Sequence, residues 1–260
     1  PFGIEFVVDG TGASLVLITA LMGVASLLFL VSDADPGPRH PLLLPLVHGV
    51  LAGVGGSFST ADLFNLYVWF EVMLICSVGL FAIGGRVDQL DGTFKYLALN
   101  LFGTMLLLMS VGLIYALGEA SAQWPPALGL ALLAALTLSF LIKAGAFPLF
   151  AWLPASYHTL PAPVLALFAG LLTKVGVYAV LRTLGDVFSP APQMLYEALG
   201  WIAAATMITG VLGAAYHWDI RRILAFHIVS QIGYILLGIA LAAPEGHAAT
   251  LFYTLHHIVV

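Results

Sequence analysis

Three ionisable side chains, Glu71, Lys143 and Lys174, lie inside apolar runs of the sequence. A charged side chain at the centre of a bilayer costs at least about 2.5 to 3.5 kcal/mol, so residues of this kind usually mark an ion or proton path. Each also has a structural alternative: Glu71 as a neutral acid in the core, and the lysines as side chains that extend to the membrane interface. An acid and two lysines at these positions predict proton translocation.

A break in the helix is predicted directly after Lys143. Pro148 has no N–H and clashes with the carbonyl four residues earlier, so the Ala144 carbonyl loses its helical partner, and Gly145 loosens the same turn. Broken helices at membrane depth occur where they are buried in protein or line a water-filled cavity, and transporters use them at ion sites. We therefore expect Gly145 and Pro148 to form the break and Lys143 to face such a cavity. A simple proline kink is the alternative.

Histidine titrates closest to physiological pH and suits a relay between acids and lysines. The eighth predicted helix has four polar residues at spacings i, i+3, i+4 and i+7, which form one stripe on an apolar helix. They are His227, Ser230, Gln231 and Tyr234. Such a stripe can hold water and pass protons, or it can bond two helices together. The spacing does not decide between these roles.

Two further histidines, His256 and His257, are adjacent and point about 100° apart around their helix. At most one of them is therefore expected to face the same interior path. Four other histidines lie in or beside predicted loops, where a solvated surface position is expected: His40, His158, His217 and His247.

The composition is that of a polytopic membrane protein. Of the 260 residues, 61% are hydrophobic and 8% are charged, against roughly 25% charged in a soluble domain. The net charge of -5 is spread over short loops without a basic patch, which argues against a nucleic-acid partner. The lone Cys76 has no neighbouring ligand set for a metal, and no Gly-rich phosphate loop occurs, so we expect no cofactor and no metal. Because the sequence starts with proline and stops in an apolar run, we expect it to be a fragment of a longer chain.

A membrane span needs about 20 apolar residues, which divides the chain into about nine transmembrane helices of one membrane domain, residues 1–260. The predicted ranges are 11–31, 41–54, 62–84, 95–117, a broken helix that follows the loop 119–126 and ends near 154, 163–184, 195–218, 220–242, and 247–260 with its end missing. Between these helices we expect a polar turn at 32–40, a tight turn at 55–60 and a loop at 85–93. Asp62 supplies a favourable negative charge at the start of its helix.

The basic residues of the loops predict the orientation. One side would carry Arg39, Arg86, Lys95, Arg221 and Arg222, and the other side only Arg182. By the positive-inside rule the first side is cytoplasmic. This inference requires that the broken helix cross the membrane once, because a re-entrant segment would reverse the parity of every later loop.

Four motifs together carry a resemblance to a known family. They are FNLYVWFEVML at 64–74, IKAGAFPL at 142–149, LLTKVGVY at 171–178 and DIRRILAFHIVSQIGY at 219–234. In type and order they resemble the antiporter-like membrane subunits shared by Mrp cation/proton antiporters and respiratory complex I, over nearly the whole chain. Their details are most similar to the D subunits of the Mrp branch.

The resemblance implies a 14-helix protein with two inverted five-helix repeats, each containing a broken helix, of which this chain would hold the third to the eleventh helix. It implies that Glu71 pairs with Lys143, that Lys174 bridges towards the second half, and that His257 continues the path. It also implies a bacterial cell (inner) membrane location. The expected partners are other subunits of the complex, the lipid bilayer, protons, and Na⁺ or another monovalent cation.

Two functions of different class remain at this stage. In one, the chain belongs to a secondary antiporter that exports Na⁺ against inward protons and does no bond chemistry. In the other, it is a proton-pumping subunit of NADH–quinone oxidoreductase or a related redox complex. A missing cofactor ligand does not separate them, because antiporter-like subunits of complex I also carry none. The motifs FEVML at 70–74 and HHIVV at 256–260 favour the antiporter. A purely structural scaffold would leave the buried acid and lysines unexplained.

Overall fold

The computed structural model describes residues 4, 6–32, 40–117, 125–188 and 191–260. Over these residues the chain forms ten α-helices: α1 (Gly10–Ser32), α2 (Leu43–Ser59), α3 (Leu63–Ala82), α4 (Val87–Leu117), α5 (Pro126–Ala144), α6 (Trp152–Ser156), α7 (Ala162–Arg182), α8 (Gln193–Tyr216), α9 (Ile220–Ala240) and α10 (Pro244–Val259). Seven of the described helices, α1, α3, α4, α5, α7, α8 and α9, are long and apolar enough to span a membrane. The protein is therefore an all-helical, multi-pass membrane protein.

The tight turn predicted at 55–60 is wrong, because α2 continues through Ser59. The small polar residues that suggested a turn instead bond to their own helix: the Ser57 and Ser59 hydroxyls donate to carbonyls four residues earlier, at 2.7 and 2.8 Å. Gly56 is part of the same helix and leaves room for the Trp69 ring of α3. The turn shrinks to the residues before Asp62, whose carboxylate caps α3 through the Asn65 N–H at 2.6 Å.

The loop predicted at 85–93 is also mostly wrong, because α4 begins at Val87. Its first two turns are polar but not free of contacts. The Gln89 amide donates to the Thr159 carbonyl at 3.1 Å, and Gly92 leaves room for the Ala155 carbonyl. Tertiary contacts with the chain around α6 thus make this polar stretch helical. The polar turn predicted at 32–40, including Arg39, and the loop at 119–126 fall mainly outside the described residues.

The chain from α5 to Leu160 crosses the bundle once. Gly92 near the start of α4 contacts Ala155, whereas Gly103, farther along α4, contacts Ile142, so the two stretches run antiparallel. At the far end, the Leu160 carbonyl accepts a hydrogen bond from Arg221 of α9 at 3.2 Å. The single crossing on which the predicted orientation depends is therefore present.

The basic residues separate between the two ends of the bundle. The end formed by the starts of α4 and α9, which we call the cation-rich end, carries Arg86, Lys95, Arg221 and Arg222. Arg182 lies at the opposite end, where its guanidinium contacts Asp9 at 2.7 Å. This is the distribution that the positive-inside rule requires of a membrane protein.

α5 ends through Gly145, which has a left-handed backbone conformation with φ of 78°. The N–H groups of Gly145 and Ala146 donate to the carbonyls of Ile142 and Leu141, at 3.1 and 3.0 Å. This pair of bonds is the Schellman motif, a common helix ending that favours glycine because a side chain is strained at positive φ. The helix end is therefore built from local hydrogen bonds.

The cause predicted for the helix break is thus corrected. Gly145 ends the helix, and Pro148 lies three residues later, in the connection between α5 and α6. That connection is fixed at both sides. The Phe147 N–H donates to the Thr206 hydroxyl of α8 at 3.0 Å, and the Trp152 indole N–H donates back to the Ile142 carbonyl at 3.1 Å.

α7 is the most enclosed helix, since every residue from 170 to 181 is buried. It contacts α1, α2, α5, α9 and α10. Its closest approach is at Gly176, where an added Cβ would lie 2.5 Å from the Ala144 nitrogen and 2.7 Å from the Phe140 carbonyl oxygen. The last turn of α5, which carries Lys143, therefore rests directly on the middle of α7.

Gly176→Ala should weaken this contact, because the added methyl overlaps backbone atoms that cannot rotate away. Overpacking of this kind costs about 1 to 3 kcal/mol. The melting temperature of the purified protein in detergent measures the loss. Gly112→Ala on α4 is the matched control, because nothing lies within 4 Å of its added carbon. Equal melting temperatures of the two variants would contradict the packing described.

Candidate functional site

Lys143 lies in the last turn of α5 and is only 3% exposed. Its buried Nζ has no hydrogen-bond partner among the described residues, and it stands 5.4 Å from the centroid of the Phe70 ring on α3. The next residue of α3 is Glu71, whose buried Oε1 also has no hydrogen-bond partner there. Glu71 is close enough to interact electrostatically with Lys143. None of the ion pairs within 4 Å in this part of the chain joins the two.

Lys174 lies at the middle of α7 and is completely buried. Its ammonium group donates to the Ala169 carbonyl of the same helix at 2.5 Å. Neither Lys174 nor Lys143 extends to the surface, so the interfacial alternative is wrong for both lysines. The two lysines differ in one respect: Lys174 has a fixed backbone acceptor, whereas Lys143 has none in the described structure.

Of the two adjacent histidines of α10, His257 is the one that faces inwards. It is half-buried, and its buried Nδ1 has no hydrogen-bond partner within the described ranges. It lies within electrostatic range of Lys174 and His227. His256, in contrast, is exposed. The expectation that at most one of the adjacent histidines faces the interior is met.

The polar stripe of the eighth predicted helix, now α9, does not face the interior as a unit. Ser230 is 2% exposed and packs against Gly210 of α8, whereas His227 and Tyr234 are exposed. The spacing i, i+3 places Ser230 at one edge of the stripe, and the close contact of α8 with α9 covers that edge. The other members form a network: the Nε2 atoms of His227 and Gln231 are 3.1 Å apart, and the Tyr253 hydroxyl of α10 donates to the Gln231 Oε1.

A cluster around Arg182, at the opposite end of the bundle, was not predicted from the sequence. The guanidinium contacts Asp9 at 2.7 Å and Asp186 at 2.6 Å, and its Nε donates to the Tyr178 hydroxyl at 3.0 Å. That hydroxyl donates to the Phe58 carbonyl at 3.1 Å, so the cluster joins α1, α2 and α7. One signal was available: Tyr178 and Arg182 follow Lys174 at intervals of four on one face of α7.

Asp9 precedes α1 and accepts a hydrogen bond from the Gly12 N–H at 2.7 Å. Burial raises the pKa of Asp9, but this hydrogen bond and the positive charge of Arg182 outweigh burial, so the pKa lies below its usual value. The side chain of Asp9 is therefore ionised at neutral pH, where it can pair with Arg182.

A cavity of about 400 Å³ opens at the cation-rich end, beside the connection between α5 and α6. Its charged and titratable lining includes Asp88, Asp91, Lys95, His158, His217 and Arg222. His158 and His217 are half-buried here, and His247 on α10 is half-buried beside Gly185, so the solvated position expected for these three is wrong. The ring of His158 is held on both sides: its Nδ1 is 2.9 Å from the Pro154 carbonyl and its Nε2 is 3.5 Å from Arg222.

No group of three His, Cys, Asp or Glu side chains in the described residues could hold a metal ion. The chemistry that the site residues offer is proton transfer: a carboxylate, two buried amines and an imidazole, on helices that contact each other.

The family described as NADH:quinone oxidoreductase/Mrp antiporter, transmembrane, matches residues 60–260. The chain belongs to this family. The family resemblance drawn from the four motifs is therefore confirmed.

Individual members of the NADH:quinone oxidoreductase/Mrp antiporter family are similar along the whole chain. The D subunit of the Na⁺/H⁺ antiporter of Alkalihalophilus pseudofirmus is 37% identical over 270 residues, which cover 100% of this chain and 55% of that protein. The corresponding D subunit of Bacillus subtilis is 34% identical, with the same coverage. The chain thus spans about half the length of the curated relatives it matches. These relatives bear out the predicted resemblance to Mrp D subunits.

Two solved structures of membrane complexes contain a chain with this fold. The match in the Mrp complex from Dietzia has a TM-score of 0.91 and 36% identity, and it covers 99% of this chain and 50% of that chain. The match in the membrane-bound sulfane sulfur reductase, an archaeal respiratory membrane complex, has a TM-score of 0.92 and 26% identity, and it covers 100% of this chain and 55% of that one.

Asp9→Asn should destabilise this family member in a pH-dependent way. The depressed pKa means that the carboxylate stabilises the fold above its unfolded pKa of about 3.9, and that this stabilisation is lost as pH falls through the folded pKa. The variant should therefore melt below the wild type at neutral pH, and the difference should vanish in acid. Melting curves between about pH 7 and pH 3 measure it. Asp91→Asn removes an exposed pair with Lys95 and should change little. An equal, pH-independent loss in both variants would contradict the role of Asp9.

His227→Ala separates the two roles of the α9 network. The Tyr253–Gln231 bond already links α9 with α10, so removing the exposed His227 should leave the amount of assembled complex unchanged and lower ion transport. Tyr253→Phe removes the hydrogen bond that links the two helices, and it shows how much the amount of assembled complex changes when that link is lost. Joint loss of assembly and transport in His227→Ala would mean that the histidine only holds helices together. Normal values of both would remove it from the path.

Proposed function

We propose that this chain is part of the D subunit of a multisubunit Na⁺/H⁺ antiporter in the bacterial cell membrane. It acts as a transporter component and not as an enzyme. In this proposal, protons pass along Glu71, Lys143, Lys174 and His257, with His227 at the exposed end of the α9 network. The observation that carries the proposal is the buried ammonium of Lys143, which lies within electrostatic range of Glu71 and has no hydrogen bond among the described residues.

The distance between Glu71 and Lys143 determines how strongly each group holds its proton. Two unit charges about 8 Å apart interact by roughly 2 kcal/mol at an effective dielectric of about 20. A change of that size alters the ratio of two states by about thirtyfold, since each 1.4 kcal/mol is a factor of ten. A movement that stretches or shortens the pair would therefore change which group holds the proton.

The second step runs from Lys143 to Lys174 and His257. The contact at Gly176 brings the helices of the two lysines together, and Lys174 lies within electrostatic range of His257. The same two helices carry buried hydroxyls without a hydrogen-bond partner in the described structure, those of Thr137 and Thr173. Buried hydroxyls normally have a partner, so these two are suited to bind water that conducts protons.

The orientation in the membrane completes the proposal. The cation-rich end, with its cavity beside the α5–α6 connection, faces the cytoplasm, and the Arg182 cluster faces outwards. The cavity would then admit water from the cytoplasm to the connection between α5 and α6, which begins two residues after Lys143.

A second candidate is a proton-pumping subunit of a redox complex. The high structural similarity to a chain of the archaeal respiratory complex favours it, because that fold match is as good as the match to the Mrp complex. The sequence supports the antiporter more strongly, since the relatives at 34 to 37% identity over the whole chain are named as D subunits of Na⁺/H⁺ antiporters.

The test is a double-mutant cycle in the full-length protein within its assembled complex. Glu71→Gln and Lys143→Met should each lower Na⁺-dependent proton exchange in membrane vesicles by at least about tenfold, and the double variant should be no worse than the poorer single variant. Arg86→Gln, at an exposed arginine that does not line the cavity, is the control for loss of a positive charge.

Strictly additive losses in the double variant would mean that the two residues are not coupled. Full exchange in Lys143→Met would overturn the proposed path. Proton movement that requires a redox substrate and ignores Na⁺ would replace the antiporter with the second candidate.

A further inference from the structure

The aromatic ring of Phe70 faces the ammonium group of Lys143, and the proposed proton path gives this ring no task. We propose that Phe70 is a positioning residue: its ring holds the Lys143 ammonium by a cation–π interaction, so that Lys143 alternates between the ring of Phe70 and the carboxylate of Glu71. This inference rests on the proposed function, because it assigns a resting position to the lysine of that path.

The geometry is that of a cation–π contact. The Nζ of Lys143 lies 5.4 Å from the ring centroid, within the distance of about 6 Å at which the ring quadrupole attracts a cation. Both partners are withdrawn from solvent, with Lys143 3% and Phe70 1% exposed. Such contacts are strongest when desolvated. The ring is also the one aromatic group in contact with this ammonium in the described structure.

The ring is held in place by the helix that carries the lysine. Phe140, one turn before Lys143 on α5, meets the Phe70 ring edge to face, at 6.0 Å between centroids and 76° between planes. This arrangement is the favourable one for two aromatic rings. The orientation of the Phe70 face towards Lys143 is therefore set by a contact of α5 itself.

The two partners of Lys143 are neighbours in sequence. Phe70 and Glu71 follow each other on α3, so their side chains leave the helix about 100° apart. The backbone at Lys143 is fixed by the helix ending at Gly145 and by the contact with Gly176. In this proposal, rotation of the lysine side chain moves the ammonium from one partner to the other. A neutral ring and a carboxylate give two states whose populations a nearby charge can shift.

The consequence for transport is that the ring prevents permanent capture of the lysine by the acid. A lysine locked to Glu71 would keep its proton in a stable ion pair. A weaker attraction to the ring should shift Lys143 towards Glu71 and slow each cycle. The effect should depend on the electron density of the ring face and not on the volume of the ring.

Fluorinated phenylalanines at position 70 test this dependence. The 4-fluoro, 3,5-difluoro and 3,4,5-trifluoro rings withdraw electrons stepwise from the ring face while the ring volume changes little. Each is placed in the full-length protein of the assembled complex, and Na⁺-dependent proton exchange is measured in vesicles. We expect the rate to fall at every step, by about tenfold over the series. Phe70→Leu, which removes the ring, should be at least as slow.

Phe81 provides the matched control. It lies on the same helix, is fully buried, and its ring contacts are with Tyr96, Tyr157 and Phe168. The same fluorinated series at Phe81 should leave the rate unchanged, because no cation faces that ring among the described residues.

A flat response at Phe70, or an equal fall at Phe81, would overturn the inference. If Phe70→Leu fails to assemble, the fluorinated series still decides, since it preserves the shape of the ring. Lys143→Met separates the two levels of the proposal. Lost exchange in Lys143→Met together with a flat series at Phe70 would reject the positioning role and leave the proton path standing, whereas full exchange in Lys143→Met would reject both.

Discussion

Hydrocarbon offers no hydrogen bonds, so each polar group at membrane depth has to find its partner inside the protein. Hydroxyl groups of this bundle mostly do so locally: those of Thr19, Ser57 and Ser110 bond to carbonyls four residues earlier. Some other buried polar atoms have no hydrogen-bond partner in the described part of the chain. Of eight buried side-chain atoms without a partner among the described residues, three belong to Glu71, Lys143 and His257. The exceptions to the general rule of the bundle thus include three of the residues expected to move protons.

Two kinds of buried lysine result from this constraint. Lys174 lies in the buried part of α7, residues 170–181, and has a backbone carbonyl as its acceptor, so its position is well defined. Lys143 lies at a helix end, beside an aromatic ring and near an acid, without a hydrogen bond among the described groups. The arrangement of Lys174 suits a group that stays in one position, and that of Lys143 suits a group that changes partners. The close contact at Gly176 packs the helices of the two lysines against each other.

The sequence was sufficient for features that depend on local pattern. Apolar length located most of the spans, and Asp62 was recognised at the start of α3. Burial of the two lysines followed from the apolar residues around them. The sequence was insufficient where contacts with residues far away along the chain determine the local structure. Ser57, Ser59 and Gln89 look like turn or loop residues until α2 and α4 pack against their neighbours, and α8 covers Ser230. The Arg182 cluster needs Asp9, which is far away along the chain. The ending of α5 was placed correctly and Gly145 was named there, but the lost hydrogen bond was attributed to Pro148, whereas Gly145 and its two hydrogen bonds set the ending.

The ending of α5 beside Lys143 also has an electrical consequence. Aligned peptide dipoles give a helix an effective charge of about minus one half at its C-terminal end, which acts within the last turn. In a continuous span this end lies at the membrane surface, where water screens it. Here Gly145 moves it into the bundle, next to the ammonium of Lys143. The backbone itself therefore supplies a fixed negative potential at the lysine, one that no side-chain substitution removes and that would disappear if the helix became continuous.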